Sequence, residues 1–171
     1  MTPTPPVSVR PLGPHDADWA RRVLVSTWGS VFAARKGELV DTSVLPGFVA
    51  AFDAADVGLA IVAPRGPEYE VVSVSTTVEG RGAGRALLQQ CVDDARERGC
   101  RRVWLTTTND NVRALAFYQR FGMDLCAFYR HGVDVSRQLK PSIPLLGASG
   151  VPIAHELEFE LILGEHSPGP A

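Results

Sequence analysis

The stretch that decides the fold is TTVEGRGAGRALLQQ, residues 76–90, which follows a β-branched apolar segment and runs directly into a helical pattern. Three of its alternate positions are glycine: Gly80, Gly82 and Gly84. Glycine weakens strands and helices alike, so three of them at a strand-to-helix junction indicate that bare backbone is needed there. The first N–H groups of a helix lack partners and lie at the positive end of its dipole, so this junction suits a phosphate.

The spacing G-x-G-x-G differs from both common nucleotide fingerprints. A dinucleotide-binding G-x-G-x-x-G would need glycine where Arg85 stands, and no G-K-[ST] follows for a P-loop. Taken alone, the glycines are also compatible with a tight turn between a strand and a helix. The loop by itself therefore leaves three alternatives open: a phosphate site, a nucleotide site of another kind, and a plain turn.

A second motif, TTNDNVRALAFYQRFGM at residues 107–123, narrows these alternatives. Together with the glycine loop it resembles the GNAT superfamily of acyl-CoA-dependent N-acyltransferases. The coenzyme loop of that family, Arg/Gln-x-x-Gly-x-Gly/Ala, is matched by residues 79–84, and Asn-x-x-Ala-x-x-Phe/Leu-Tyr-x-x-x-Gly-Phe is matched from Asn111 to Gly122, with Met123 replacing Phe. The resemblance covers residues 68–130. Glu79 departs from the family pattern, and because a carboxylate repels a diphosphate we expect it to point to solvent.

The order of elements predicts an α/β (α+β) fold with a GNAT-like mixed, partly parallel sheet and helices on both faces. Helical spacing is present in residues 15–32, in 83–98, and from Asp110 or Asn111 to a stop at Gly122. A hairpin is predicted across Asp53 to Asp56. Residues 35–48 and 131–154 are rich in glycine and proline and are predicted to be loops that wall the acceptor site.

Length, composition and net charge indicate the class of protein. The chain has 171 residues, 45% of them hydrophobic, and a formal net charge of −2, which suits one globular domain and gives no positive field for nucleic acid. We expect residues 1–6 to be a flexible lead-in, 7–164 a single N-acetyltransferase-like domain and 165–171 a flexible tail. No apolar run approaches the roughly 18 residues of a membrane span, and the N-terminus lacks the regions of a signal peptide.

The cysteines and histidines predict no metal site and no disulfide framework. Three cysteines without C-x-x-C spacing indicate a reduced, cytoplasmic protein in which each is a small core residue. The four histidines have no metal-ligand spacing. By analogy with GNAT-like sheets, an exposed C-terminal strand would allow a homodimer.

The resemblance implies acetyl-CoA as acyl-donor cosubstrate and a primary amine as acceptor. The pantetheine arm would pair with the backbone of Val74 and Thr76, and an N–H near Val74 would face the thioester oxygen. The diphosphate would lie on residues 81–86, and the side chain of Asn111 would contact the coenzyme as well as cap a helix. The predicted coenzyme-binding residues are Val74, Thr76, Arg81, Gly82, Ala83, Gly84, Arg85, Ala86 and Asn111.

Catalysis requires a proton donor for the leaving thiolate and a base for the amine. Tyr118 matches the tyrosine of the family and is the predicted donor; the alternative is an aromatic that only packs. Glu70, four residues before Val74, is the predicted general base, acting through a water, with His131 and Asp134 as rivals. Alternating glutamates on the last strand, Glu156 and Glu158, are candidates for selecting a cationic amine, although any half-exposed strand shows such alternation.

Three functions are therefore compared. The first is an acetyl-CoA-dependent N-acetyltransferase that moves the acyl group by direct attack of the amine on the thioester. The second is a non-catalytic acyl-CoA-binding GNAT-like module. The third is a nucleotide or dinucleotide binder built on the glycine loop, which acetyl-CoA would not stabilise.

Overall fold

The computed structural model describes residues 7–164, so the predicted lead-in and tail lie outside the described residues. Its strands and helices follow in chain order: β1 Ser8–Pro11, α1 Ala17–Trp28, β2 Phe32–Arg35, β3 Glu38–Asp41, β4 Gly47–Phe52, β5 Ala55–Arg65, β6 Glu68–Thr76, α2 Ala83–Glu97, β7 Arg102–Thr108, α3 Val112–Phe121, β8 Asp124–Tyr129, α4 Gly132–Leu139 and β9 Glu156–Ile162.

The main sheet has seven strands in the order β1-β4-β5-β6-β7-β9-β8, and β2 and β3 form a separate hairpin. Strands β6 and β7 are parallel, whereas the other neighbouring pairs are antiparallel. This confirms the predicted mixed, partly parallel sheet. The C-terminal strand β9 lies between β7 and β8, so the expectation that it is an exposed edge is wrong: the edge strands are β1 and β8.

Helices cover both faces of the sheet, as predicted. Helix α2 buries Leu87, Leu88 and Cys91 in a large apolar cluster that α3 also contacts. Helix α1 buries Ala20, Val23 and Leu24 in a smaller cluster on the opposite face, together with Leu59 and Ile61 of β5. We call these the α2 face and the α1 face. Among residues 7–164, no helix has the length and apolarity needed to cross a membrane.

The segment predicted as loop 35–48 contains most of a hairpin instead. Strands β2 and β3 pair from Phe32↔Asp41 to Arg35↔Glu38, around a turn whose central residues Lys36 and Gly37 have φ of 50° and 73°. Positive φ at both central positions characterises the two-residue turn that matches strand twist, and Lys-Gly is a weaker signal for it than Asn-Gly. The helix predicted from the apolar spacing of residues 15–32 is also too long, because α1 ends before Gly29, which is left-handed.

The segment predicted as loop 131–154 contains the eight-residue helix α4. It begins after His131, which has a φ of 57°, and buries Val133 and Ser136. Such a short helix next to prolines and glycines has too few turns for its periodicity to be recognised. Two of the three cysteines are buried as expected, but Cys126 is exposed on the edge strand β8.

Candidate active site

Strands β6 and β7 part from each other after only three residue pairs. They are paired from Glu68↔Arg102 to Glu70↔Trp104, and their remaining residues, through Thr76 and Thr108, are not paired with each other. The gap that opens beyond Glu70 and Trp104 is here called the fork. It gives access to a strand edge in the middle of a sheet, where backbone N–H and C=O groups are normally paired.

The open edge of β6 is formed by Val74 and Thr76. Thr77 N donates to Val57 O at 2.8 Å, and β6 runs antiparallel to β5 with Gly58↔Thr76 and Ala60↔Val74 as facing residues. Because hydrogen-bonded and non-hydrogen-bonded pairs alternate in an antiparallel ladder, the N–H and C=O groups of Val74 and Thr76 point away from β5, into the fork. These are the two residues predicted to bind pantetheine, and that role stays a prediction.

A β-bulge at Val72 changes which face the later residues of β6 occupy. The register with β5 shifts between Ile61↔Ser73 and Val62↔Val71, which leaves Val72 as an extra residue. Val72 packs on the α1 face with the smaller cluster, whereas Val74 packs on the α2 face with the larger one. Simple alternation, which places Glu70, Val72 and Val74 on one face, is therefore wrong beyond the bulge.

The glycine loop places three backbone amides, which have no partner among residues 7–164, at the mouth of the fork. Gly80 and Gly82 have φ of 72° and 79°, in the left-handed region that glycine tolerates best, and Gly82 is the N-cap of α2. Ala86 N donates to Gly82 O at 2.9 Å, so the amide of Ala86 is used within the helix. The amides of Ala83, Gly84 and Arg85 precede this first helical bond, which makes them the available donors for an anion.

Gly84 has a different role from the other two glycines, because it is helical. A Cβ built on Gly84 would lie 3.6 Å from Phe117 Cζ and 3.7 Å from Thr76 Cγ2. It would therefore point between the end of β6 and helix α3, at the mouth of the fork. The three glycines thus serve two needs, a left-handed turn and an unobstructed cleft.

Charged side chains around this loop are exposed. The guanidinium of Arg81 stacks 5.0 Å from the ring centroid of Phe52, and that of Arg85 stacks 5.3 Å from Phe121. Glu79 points to solvent, as expected, and accepts a hydrogen bond from Arg113 of α3. This bond lowers the pKa of the Glu79 carboxyl and keeps its charge paired with a cation.

Helix α3 forms the other wall of the fork on the α2 face. Asn111 is its N-cap, as one of the two predicted candidates, with Oδ1 accepting from Ala114 N at 3.3 Å, and Gly122 ends the helix in the left-handed conformation. The side-chain amide nitrogen of Asn111 has no hydrogen-bond partner within residues 7–164. An open cavity of about 410 Å³ lies along the outer side of this helix, lined by Val112, Arg113, Ala116, Phe117 and Arg120.

Tyr118 lies on the inner side of α3. Its ring contacts Phe117 and Phe159 at centroid distances of 5.4 and 5.6 Å. Its hydroxyl has no hydrogen-bond partner among residues 7–164, and burial raises the pKa of Tyr118 to about 12. The phenol is therefore neutral at physiological pH and holds a proton that it can donate.

Glu70, the predicted base, is buried at the closed end of the fork and is bound by an arginine that sequence reasoning did not select. Arg35 Nε donates to Glu70 Oε1 at 2.6 Å, and Arg35 Nη2 donates to Oε2 at 2.5 Å. Both side chains are less than 10% exposed. A bidentate guanidinium engages both carboxylate oxygens, so Glu70 has only its remaining lone pairs for a water or an amine. Its role as base stays a prediction.

The next residue of the hairpin, Lys36, binds two glutamates of β9, across the fork from β6. Its backbone N–H donates to Glu156 Oε2 at 2.8 Å, and its Nζ donates to Glu158 Oε2 at 2.7 Å. The tip of the β2–β3 hairpin therefore bridges β6 and β9 at the level where β6 and β7 separate. The local signal for this arrangement is the Lys36-Gly37 turn, which lies in the segment 35–48 that is predicted from the sequence to be a loop.

The rival bases lie at the start of α4. His131 and Asp134 are exposed, with Nδ1 of His131 3.5 Å from Oδ2 of Asp134, and the ring of His131 contacts that of His155. Glu156 is buried and accepts from Ser136 Oγ at 2.5 Å. Among residues 7–164, no three His, Cys, Asp or Glu side chains are grouped closely enough to hold a metal ion.

Comparison with known proteins places this geometry in a family context. Residues 9–123 match the family model described as Acetyltransferase (GNAT) family. An uncharacterized protein of Bacillus subtilis (strain 168), YdhI, is 34% identical over 137 residues, which cover 80% of this chain and 86% of that protein. Streptothricin acetyltransferase of Streptomyces lavendulae is 40% identical over 57 residues, 33% of this chain and 30% of that protein.

The fold is also similar to solved structures. The crystal structure of a GNAT family acetyltransferase from Elizabethkingia anophelis with acetyl-CoA bound superposes with a TM-score of 0.65 at 14% sequence identity, covering 92% of this chain and 98% of that one. At this identity the likeness establishes the shared fold.

Proposed function

Because the chain belongs to the acetyltransferase (GNAT) family, we propose that it is an acetyl-CoA-dependent N-acetyltransferase whose acceptor is a primary amine. The amine nitrogen bonds to the thioester carbon and loses a proton, while the C–S bond breaks and the thiolate takes up a proton. The observation that carries the proposal is the continuity of two features. The first amides of α2, which have no partner in the described range 7–164, lie at the mouth of a fork into which the backbone N–H and C=O groups of Val74 and Thr76 point.

The coenzyme is held mainly by backbone groups. The amides of Ala83, Gly84 and Arg85 bind the diphosphate, and the side chains of Arg81 and Arg85 add positive charge. The pantetheine arm pairs with Val74 and Thr76 in the manner of an added strand. The acetyl-CoA bound to the Elizabethkingia anophelis relative supports this choice of cosubstrate.

Tyr118 protonates the departing thiolate. Its pKa of about 12 keeps the phenol neutral throughout the pH range of the reaction, and its hydroxyl is not committed to another residue among 7–164. A positioned neutral donor stabilises the charge that develops on sulfur as the C–S bond breaks. Asn111 orients the coenzyme from the start of the same helix.

We retain Glu70 as the base for the amine, acting through a water on the lone pairs that Arg35 leaves unused. In this role Arg35 fixes the direction of the carboxylate. The Glu70→Gln variant keeps a polar group of the same shape and removes the base. If Glu70 is the base, kcat/KM should fall about 100-fold or more. An unchanged kcat/KM would transfer the role to His131 or Asp134.

One observation favours the alternative of a non-catalytic acyl-CoA-binding module. The bidentate contact of Arg35 with Glu70 is also what a purely structural ion pair would show. The coenzyme groove would then be retained without an available base. We propose a cytoplasmic location for either function, because the three cysteines are free thiols.

Two measurements on the same preparation test the proposal. At 100 times its Kd, acetyl-CoA should stabilise the fold by about 2.7 kcal/mol and raise the melting temperature, whereas NAD and ATP should not. Release of CoA with a panel of primary amines should then occur in an amine-dependent manner. A melting shift without CoA release would indicate the binding module, and a shift with NAD or ATP alone would indicate a nucleotide binder.

A further inference from the structure

The ammonium of Lys36 lies in a cage on the α1 face of the sheet. Its Nζ is 4.5 Å from the ring centroid of Trp104, 5.4 Å from that of Tyr129 and 2.7 Å from Glu158 Oε2. Two aromatic faces and a buried carboxylate are the groups that recognise an alkylammonium ion. We call Trp104, Tyr129 and Glu158 the ammonium cage.

Glu158 has hydrogen-bond partners other than Lys36. Tyr129 OH donates to Glu158 Oε2 at 2.8 Å, and Arg102 Nη2 binds the other oxygen, Oε1. The Glu158 side chain is only 4% exposed, whereas that of Lys36 is 32% exposed and belongs to a hairpin tip. An ammonium from solution could therefore take the place of Lys36 while Glu158 stays paired with Arg102.

A second observation concerns Thr106, which lies farther along β7 than Trp104 of the cage. Thr106 follows Trp104 by two residues on β7, so both side chains lie on the α1 face. Its hydroxyl is the one buried side-chain oxygen or nitrogen that lacks a hydrogen-bond partner within the described range 7–164. Buried polar atoms are normally paired, so this hydroxyl is available to a polar group in the fork.

A cation in the cage is not itself the nucleophile. Burial lowers the pKa of Lys36, but the hydrogen bond and charge of Glu158 outweigh burial, so the net pKa is raised. An acceptor amine held there would likewise stay protonated and could not attack a thioester. The reacting amine must therefore be a second one, nearer to the thioester.

We propose, on the basis of the proposed function, that the acceptor is a long aliphatic diamine or polyamine, one ammonium of which replaces Lys36 in the ammonium cage while the other amine is acetylated. When no acceptor is bound, the ammonium of Lys36 occupies the cage. The spacing favours a long chain, because Trp104 of the cage faces Glu70 and Val74 lies four residues beyond Glu70. The separation is at most about 13 Å along the strand, since the bulge at Val72 shortens it.

The kinetic test compares diaminooctane with octylamine, which differ by the terminal amine. The wild-type protein should prefer the diamine by about tenfold or more in kcat/KM, from one ionic hydrogen bond and two cation–π contacts. Glu158→Gln should abolish this preference, whereas the matched control Glu160→Gln should keep it. Lys36→Met should lower the KM for diaminooctane because it removes the competing ammonium.

A binding test without acetyl-CoA separates this inference from the proposed function. In protein labelled with ¹⁵N in its lysine side chains, diaminooctane should shift the Lys36 Nζ signal towards that of a solvent-exposed lysine, and octylamine should do so as well, because its single ammonium also fits the cage. This result would support the cage even if no amine were acetylated. If Glu158→Gln does not fold, Trp104→Leu should reduce the diamine preference severalfold.

Three results would overturn the inference. The first is efficient acetylation of octylamine with no preference for diaminooctane. The second is a diamine preference that survives in Glu158→Gln or Trp104→Leu. The third is a Lys36 Nζ signal that saturating diaminooctane leaves unchanged.

Discussion

The two faces of the sheet at the fork, the α2 face and the α1 face, are stabilised by different interactions. On the α2 face, helices α2 and α3 pack on a large apolar cluster, and the candidate coenzyme groups are mainly backbone amides and carbonyls. On the α1 face, the apolar cluster is smaller, and the hairpin is attached through Arg35–Glu70 and Lys36–Glu158. A site formed by backbone groups is therefore encoded locally, whereas a site formed by ion pairs depends on partners that are distant in the sequence.

The largest expected effect is on the α2 side, at the proposed proton donor. Tyr118→Phe removes a hydroxyl that has no partner among residues 7–164, so we expect kcat to fall by about 100- to 10,000-fold with little change in stability. Steady-state CoA release and thermal melting would measure the two effects. The control Tyr69→Phe removes a hydroxyl bonded to Asp94 at 2.7 Å, away from the fork, and should leave kcat unchanged. Equal losses in both variants would contradict the role of Tyr118.

The next effect concerns the ion pairs of the α1 side. Arg35→Met leaves the buried Glu70 without its cation and should lower the free energy of unfolding by about 3–5 kcal/mol. The double variant Arg35→Met/Glu70→Leu should recover most of this loss, because no buried charge then remains. Urea unfolding at neutral pH measures both. Arg98→Met, at the half-exposed pair with Asp94, should cost less than about 1 kcal/mol. If the single variant is as stable as the double one, the pair does not hold the hairpin.

A smaller effect distinguishes the roles of Gly84 and Gly82 on the α2 face. Gly84→Ala meets its neighbours at ordinary contact distances and should stabilise the fold by about 0.4–1 kcal/mol. Its methyl group points into the mouth of the fork, so the Kd for acetyl-CoA should rise about tenfold, or about 1.4 kcal/mol. Gly82→Ala, at a φ of 79°, should instead destabilise the fold by about 1–2 kcal/mol. Melting curves with and without acetyl-CoA would detect both changes, and unaltered coenzyme affinity in Gly84→Ala would place the diphosphate elsewhere.

The smallest effect is expected at the residue that departs from the family motif. Glu79 is exposed and paired with Arg113, so Glu79→Gln should leave the melting temperature unchanged within error. Its Kd for acetyl-CoA should change less than about threefold, because salt and water screen an exposed charge. Calorimetric titration at low and moderate salt would measure this. A large gain in affinity would show that the carboxylate faces the diphosphate when coenzyme binds.

The elements and site residues of the α2 face are easier to predict from the sequence than those of the α1 face, for a physical reason. The N-cap at Asn111, the stop at Gly122 and the apolar face of α2 depend on residues within a few positions of each other, so local rules identify them. Lys36 and Glu158 are 122 residues apart, and no local pattern pairs them. The bulge at Val72 likewise arises from pairing with β5, which alternation along a single strand does not reveal.

The position of β9 between β7 and β8 has a consequence for the order of assembly. Residues 156–162 are the last described strand to leave the ribosome, yet they must enter the interior of the sheet. Until then β8 has no neighbour and β7 presents an unpaired edge, so this end of the sheet is completed only by contacts of long sequence separation. Folding of this end of the sheet is therefore completed only after synthesis has passed residue 162. A chain stalled earlier exposes the unpaired edges of β7 and β8, which can then pair with other chains.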